Sequence, residues 1–220
     1  MTMIQIQQRP FLTRPEQFQG VPTFIAEILA RRGVQSEQEL ELKLKHLLPP
    51  DLKGLDQAVE LIDQVIDQKK QIVIIGDYDA DGMTSASIMK TALDEIGAES
   101  LVYLPNRFTD GYGPNLDVYK YFIENEGIGL IITVDNGVAG HEAVAYAQES
   151  GCDVIITDHH SLPETLPDAY AIIHPEHPDG QYPFKDLAGC GVAFKVACAL
   201  LEYVPSEMLD LVAIGTIADM

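Results

Sequence analysis

Three short stretches carry side chains able to do chemistry. They are Asp77-x-Asp79-x-Asp81-Gly82, Asp135-Asn136-Gly137 and Asp158-His159-His160. Carboxylates at alternate positions repel one another, and a hard cation relieves that repulsion most directly. Mixed carboxylate and imidazole donors suit Mn²⁺, with Mg²⁺ or Zn²⁺ as alternatives. More carboxylates than one ion needs point to two ions sharing a bridge, which clamp the attacking and leaving oxygens of a phosphoester. Asp-x-Asp-x-Asp-Gly also opens an EF-hand calcium loop, which needs a bidentate Glu at its twelfth position and a helix in front. Counted from Asp77 that position is Ile88, and the residues before Asp77 are β-like, so the calcium reading is set aside.

Each word alone is weak. A histidine in a loop is more often just solvated, Asp135 before Asn-Gly could be a turn residue only, and Asp158 could merely orient a histidine. The elements that carry these words make the signal specific. From residue 71 the pattern alternates strand and helix, as a parallel sheet with crossover helices requires. Strands are predicted over 71–76, 100–105, 130–135, 153–157 and 169–174. Helices are predicted over 84–96, 116–126, 140–150, 187–203 and 206–218. Apolar runs such as Leu130-Ile131-Ile132-Thr133-Val134 imply burial on both faces. All three words then leave strands at the carboxyl edge, where open α/β sheets place their ligands.

Residues 1–70 read as a short helical lead-in and 71–220 as the α/β domain, a five-stranded parallel sheet. In the lead-in, helices are expected over 24–32, from Ser36 (with Glu39 as a capping-box partner) to Pro49-Pro50, and over 55–68. The third should bury Ala58, Leu61, Ile62, Val65 and Ile66.

The chain of 220 residues carries a net charge of −20. Residues 71–220 hold 5 basic against 24 acidic side chains, so this region repels a phosphate backbone at long range. Acting on nucleic acid would need metal ions and a positive field from elsewhere. No apolar run approaches the 18 residues or so of a membrane span, and the first twenty residues lack the apolar core of a signal peptide. Cys152, Cys190 and Cys198 form no Cys-x-x-Cys pair and read as reduced, buried thiols of a cytoplasmic protein.

Asp79-x-Asp81, Asp135-Asn136-Gly137, Asp158-His159-His160 and Gly215-Thr216-x-x-Asp219 together resemble the four motifs of the DHH phosphoesterase superfamily. Gly76-Asp77-Tyr78-Asp79-Ala80-Asp81-Gly82, the loop Pro105-Asn106-Arg107-Phe108 with Asp110-Gly111-Tyr112-Gly113, and Leu187-Ala188-Gly189-x-Gly191-Val192-Ala193-Phe194 narrow the resemblance to its RecJ branch. Those are single-strand-specific 5′→3′ exonucleases of DNA repair and recombination. The resemblance implies Asp79, Asp81, Asp135, His159 and Asp219 as ligands of two divalent ions, Mn²⁺ foremost and Mg²⁺ next, with Asp135 bridging. It implies that His160 faces the phosphate or its leaving oxygen, that Asp77 ligates or holds a water, and that Arg107 contacts substrate phosphate. Asp158 and Asn136 would support these groups from behind, and His46, His141, His174 and His177 receive no role. His174 stands where the branch usually carries Asn.

The implied partner is single-stranded DNA with a 5′ end, and a single-strand-binding protein beside it, with no membrane. The rival substrates are pyrophosphate, short oligoribonucleotides and cyclic dinucleotides; a lobe that binds metal or a partner without turnover is the rival from outside catalysis. The branch carries a second catalytic lobe and an OB-fold beyond the point matching Met220. The expectations are therefore a fraying end at Asp219 and weak activity for these residues alone.

Overall fold

The computed structural model describes residues 9–40, 43–106 and 113–219. It divides into two compact units, residues 1–48 and 49–220.

In the first unit, helix α1 spans Thr23–Arg31 and buries Ala26 and Ala30 against Phe18. The helix expected from Ser36 does not form. Two short 3-10 turns, Glu37–Leu40 and Leu44–His46, stand in its place, with Lys43 extended between them. Glu39 Oε1 accepts the N–H of Gln35 (3.0 Å) instead of that of Ser36, so the capping box is displaced by one residue. The physical reason lies in packing. Leu40, Leu44, Leu47 and Leu48 remain exposed, and a short helix with no buried stripe has nothing to offset its ordering cost.

The second unit is built on the five predicted strands: β1 Ile72–Ile75, β2 Ser100–Tyr103, β3 Leu130–Val134, β4 Asp153–Thr157 and β5 Ala171–Ile173. They form one sheet in the order β2-β1-β3-β4-β5, every pair parallel. Ile72 lies opposite Leu130, and Leu130 opposite Asp153, so β1, β3 and β4 run level and release their chains at one edge. β1 is followed in sequence by its neighbour on one side and later by β3 on the other. The winding direction therefore reverses between β1 and β3, the place where such sheets hold ligands.

Alternate strand residues serve two cores, which is why the strands read as unbroken apolar runs. Ile72, Ile74, Leu130, Ile132 and Ile155 pack with helices α2 (Leu55–Asp67), α3 (Ala80–Glu95) and α6 (Gly189–Leu201). Val73, Ile131, Val154 and Ile156 face the other way, against α4 (Leu116–Asn125) and α5 (His141–Glu149). Each such side chain contributes roughly 1.5–3 kcal/mol on burial. Helix α2 buries the face expected of it, with Ile66 partly covered, and belongs to the sheet's own unit.

Helix α3 begins at Ala80, four residues before the predicted start. Asp79 caps it, its Oδ1 accepting the N–H of Gly82 (2.9 Å). The last helix, α7 (Leu209–Ala218), runs unbroken to Ala218, and Asp219 N–H still bonds Gly215 O (2.9 Å). Asp219 itself follows the helix in extended backbone. The bare Cα of Gly215 lets α7 press onto α3 and α6. A Cβ there would come within 2.6 Å of Cys190 Sγ and 2.8 Å of Asp81 Oδ1.

Candidate metal centre

The sheet edge brings together every predicted site residue that falls within the described residues. Arg107 lies outside them. Ligand atoms of Asp77, Asp79 and Asp135 lie within 4.8 Å of one another, and so do those of Asp81, His159 and Asp219. Asp135, His159 and His160 form a third such group, so Asp135 and His159 are shared between neighbouring groups.

Asp135 is placed by an unusual backbone. It leaves β3 with φ of 61°, a left-handed conformation that aspartate tolerates better than most residues. Gly137 follows at φ 126°, and a Cβ on it would strike Thr133 Oγ1 at 2.5 Å. Asn136 braces the turn: its Nδ2 donates to Val134 O (2.9 Å), and its own carbonyl accepts Thr133 Oγ1–H (2.7 Å).

The Asp135 carboxylate is 1% exposed. His159 Nε2 lies 3.1 Å from its Oδ1 and 3.5 Å from Asp81 Oδ2, yet Oδ1 makes no aligned hydrogen bond. Burial pushes the Asp135 carboxyl up to about 7, His159 working against that rise and Asp81 adding to it. For His159, burial favours the neutral ring, but Asp135 and Asp81 outweigh it and raise the pKa. Asp77 is raised too, first by burial, with the Tyr78 N–H (2.6 Å from Oδ1) opposing and the Asp79 charge contributing. A buried carboxylate oxygen without an aligned hydrogen bond, facing an imidazole nitrogen 3.1 Å away among further acids, fits a bound cation. The residues present have the donor set for divalent ions.

Asp81 is held from across the fold. Its Oδ2 accepts Gly189 N–H (2.6 Å) and its Oδ1 accepts Cys190 N–H (2.8 Å), at the start of α6. That helix has no side-chain cap of its own, and the Asp81 charge sits where its dipole favours an anion. Gly189 is also tight against Asp135, where a Cβ would lie 2.5 Å from Oδ1. Asp219 Oδ2 stands 3.9 Å from His159 Nδ1 and completes the far side.

Asp158 behaves differently. Its Oδ2 accepts Val138 N–H (3.0 Å), while Oδ1 takes the N–H groups of His159 (2.7 Å) and His160 (3.1 Å) and lies 2.8 Å from His160 Nδ1. Burial alone would raise this carboxyl, but His160 and these backbone donors hold it below the usual carboxylate range. The same contact, opposed by burial, lifts His160 to about 9. In the metal-free centre this favours the imidazolium, on a ring 41% exposed.

Three features escaped the sequence reading. The glycines at 189 and 215 act by letting backbone approach the acids, and the words at 187–194 and 215–219 marked the glycines without that reason. The α6 N–H groups that hold Asp81 lie more than 100 residues away in the chain. His174, assigned no role, bonds the His160 carbonyl. His141, by contrast, is exposed and turned to Thr165 O (2.8 Å).

The fold and the site define a class: a parallel α/β domain with an acid and histidine cluster at its topological switch. Residues 71–216 match the model of the DHH family, N-terminal domain, and the chain belongs to that family. Within it the chain is similar to RecJ proteins. It is 47% identical over 205 residues to the single-stranded-DNA-specific exonuclease RecJ of Bacillus subtilis (strain 168), covering 91% of this chain and 26% of that one. It is 41% identical over 217 residues to the Escherichia coli (strain K12) protein of the same name, covering 91% and 37%. The structure of RecJ from Thermus thermophilus in complex with Mn²⁺ superposes with a TM-score of 0.72 at 35% identity, over 90% of this chain and 28% of that one. The chain thus spans between a quarter and two-fifths of the curated relatives it matches.

Proposed function

We propose that this chain is the metal-binding lobe of a cytoplasmic, metal-dependent phosphodiesterase that hydrolyses single-stranded DNA from a 5′ end, in repair and recombination. The observation that carries the reading is the buried Asp135 carboxylate, without an aligned donor and shared by two groups of ligands. Similarity to RecJ proteins, one of them solved with Mn²⁺, supports the substrate class and the metal.

In this reading Asp77, Asp79 and Asp135 would hold one ion and Asp135, Asp81, His159 and Asp219 the other, with Mn²⁺ foremost. Such ions would supply charge to neutralise the acids and to polarise a phosphodiester. The residues do the rest. Asp77, buried beside Asp79 and Asp135, would ligate the first of these ions or orient the attacking water. Asp158 fixes the His160 ring, and His160 would stabilise charge on the phosphoryl or leaving oxygen. Arg107 would grip a substrate phosphate through its fork of donors. Asn136 and Asp158 hold the two turns in place.

The deciding assay supplies the chain with Mn²⁺ and, in parallel, 5′-phosphorylated single strands, short oligoribonucleotides, cyclic dinucleotides and pyrophosphate. Release of nucleoside 5′-monophosphates from the DNA strand is expected, weakly, because the acidic lobe repels long strands. Turnover of pyrophosphate or oligoribonucleotides alone would replace the substrate. Metal binding with no turnover of any of them would reduce the lobe to a binding module.

A further inference from the structure

At the carboxyl edge, one polar residue after each successive strand reaches sideways to the strand before it in the sheet. After β3, Asn136 Nδ2 donates to Ile75 O on β1 (3.1 Å). After β4, Asp158 accepts from Val138 in the turn after β3. After β5, His174 completes the series, its Nε2 lying 2.9 Å from His160 O in the turn after β4. His174 is 1% exposed, and its Nδ1 accepts the N–H of Glu176 (3.0 Å). A ring nitrogen that accepts carries no hydrogen, so in the neutral ring the proton sits on Nε2 and His174 is the donor to His160 O.

His160 is consequently gripped from two sides. Asp158 takes its N–H and its Nδ1, and His174 takes its carbonyl. Neither the peptide plane after His160 nor the ring can turn without breaking one of these contacts. We propose that His174 is a positioning residue, which holds the His160 ring at the phosphate through the His160 carbonyl. The proposal rests on the phosphodiesterase reading for what His160 does, and on the hydrogen bonds alone for how it is held.

Two substitutions test this hold. His174→Ala removes both ends, and His174→Gln restores an amide N–H long enough to reach the His160 carbonyl. With Mn²⁺ and a single-stranded substrate, His174→Ala should lower kcat by about tenfold to a hundredfold, with KM and Mn²⁺ affinity unchanged. His174→Gln should recover much of the loss. Imidazole ¹⁵N spectra of the Mg²⁺-loaded chain give a readout independent of turnover. Wild type should show His174 as the Nε2–H tautomer, and the His160 resonances should shift in His174→Ala and return in His174→Gln. An Nδ1–H tautomer at His174, or unchanged His160 resonances and kcat in His174→Ala, would overturn the proposal. If wild type hydrolyses none of the substrates but the His160 resonances move as stated, the phosphodiesterase reading falls and the positioning role stands.

Discussion

The turns after β3 and β4 each hold an aspartate that is 1% exposed, and the two differ in almost everything else. Asp158 meets the N–H groups of Val138, His159 and His160, with the His160 ring beside them, and its carboxyl is held below the usual range. Asp135 keeps an oxygen without an aligned donor, next to Asp81 and Asp79, and its carboxyl is pushed up to about 7. Burial is the same, so donors decide. One turn is finished by the protein itself, while the other keeps an acceptor turned toward neighbouring acids, where a cation would fit. For these two aspartates the donors around each carboxylate, not its burial, set the difference.

The strongest way to break this contrast is Asp135→Asn, which keeps the shape and tolerates the left-handed backbone. Mn²⁺ affinity measured by calorimetry should fall about a hundredfold or more. The metal-free protein should at the same time melt higher, because a buried repulsive acid has gone. A variant that binds Mn²⁺ as wild type does would mean that Asp135 is no bridge.

Asp158→Asn should act in the opposite sense on stability. It removes the charge that the His160 ring and three N–H groups are arranged around, and should cost about 2–4 kcal/mol in denaturant unfolding. Mn²⁺ affinity should change less than in Asp135→Asn. The pKa of His160 should drop from about 9 toward its ordinary value, visible by NMR titration. A retained high pKa would place its cause elsewhere.

The smallest effect is the pH dependence of the metal-free protein. Asp135 and His159, 3.1 Å apart, share their titration, with the Asp135 carboxyl pushed up to about 7 from an unfolded value of about 3.9, so the folded state binds more protons between those limits. The Asp135 contribution to stability therefore falls as pH rises from about 4 to about 7. Asp158 has the opposite sign, adding stability above the carboxylate range and losing it as pH falls through its lowered pKa. His160 adds stability below about 6.5 that is lost as pH rises through about 9. Melting curves in chelator and in Mn²⁺, at pH 5.5 and 7.5, should show the metal raising Tm by a few degrees more at the higher pH. An equal rise at both would remove Asp135 titration from the account.

Much of this was legible in the sequence. Ile72–Ile75, Leu130–Val134 and Asp153–Thr157 are apolar runs because both faces are covered, and each empties into the residues that form the site. Asp79 shows where such reading stops. Its carboxylate pattern signalled metal and concealed that the same side chain caps α3. The residues from Ser36 to Pro49 carried a capping-box start and a proline stop, but those signals do not supply the surface that Leu44 and Leu47 would need to bury against. The close approach of Gly189 to Asp135 and the bond from His174 to His160 depend on which turns become neighbours, which no local pattern encodes.

The clasp between Asp81 and the start of α6 also has a consequence in time. Its two hydrogen bonds close loops of 108 and 109 residues, close to half the chain. Contacts so distant in sequence carry a loop-closure cost before they return any stabilisation, and they form late. During synthesis the acids after β1 emerge long before Gly189 and Cys190. Until α6 is made, Asp81 lacks the two N–H groups that hold its carboxylate in the folded domain. The fixed position of Asp81 is thus a property of the whole domain and not of the motif that names it.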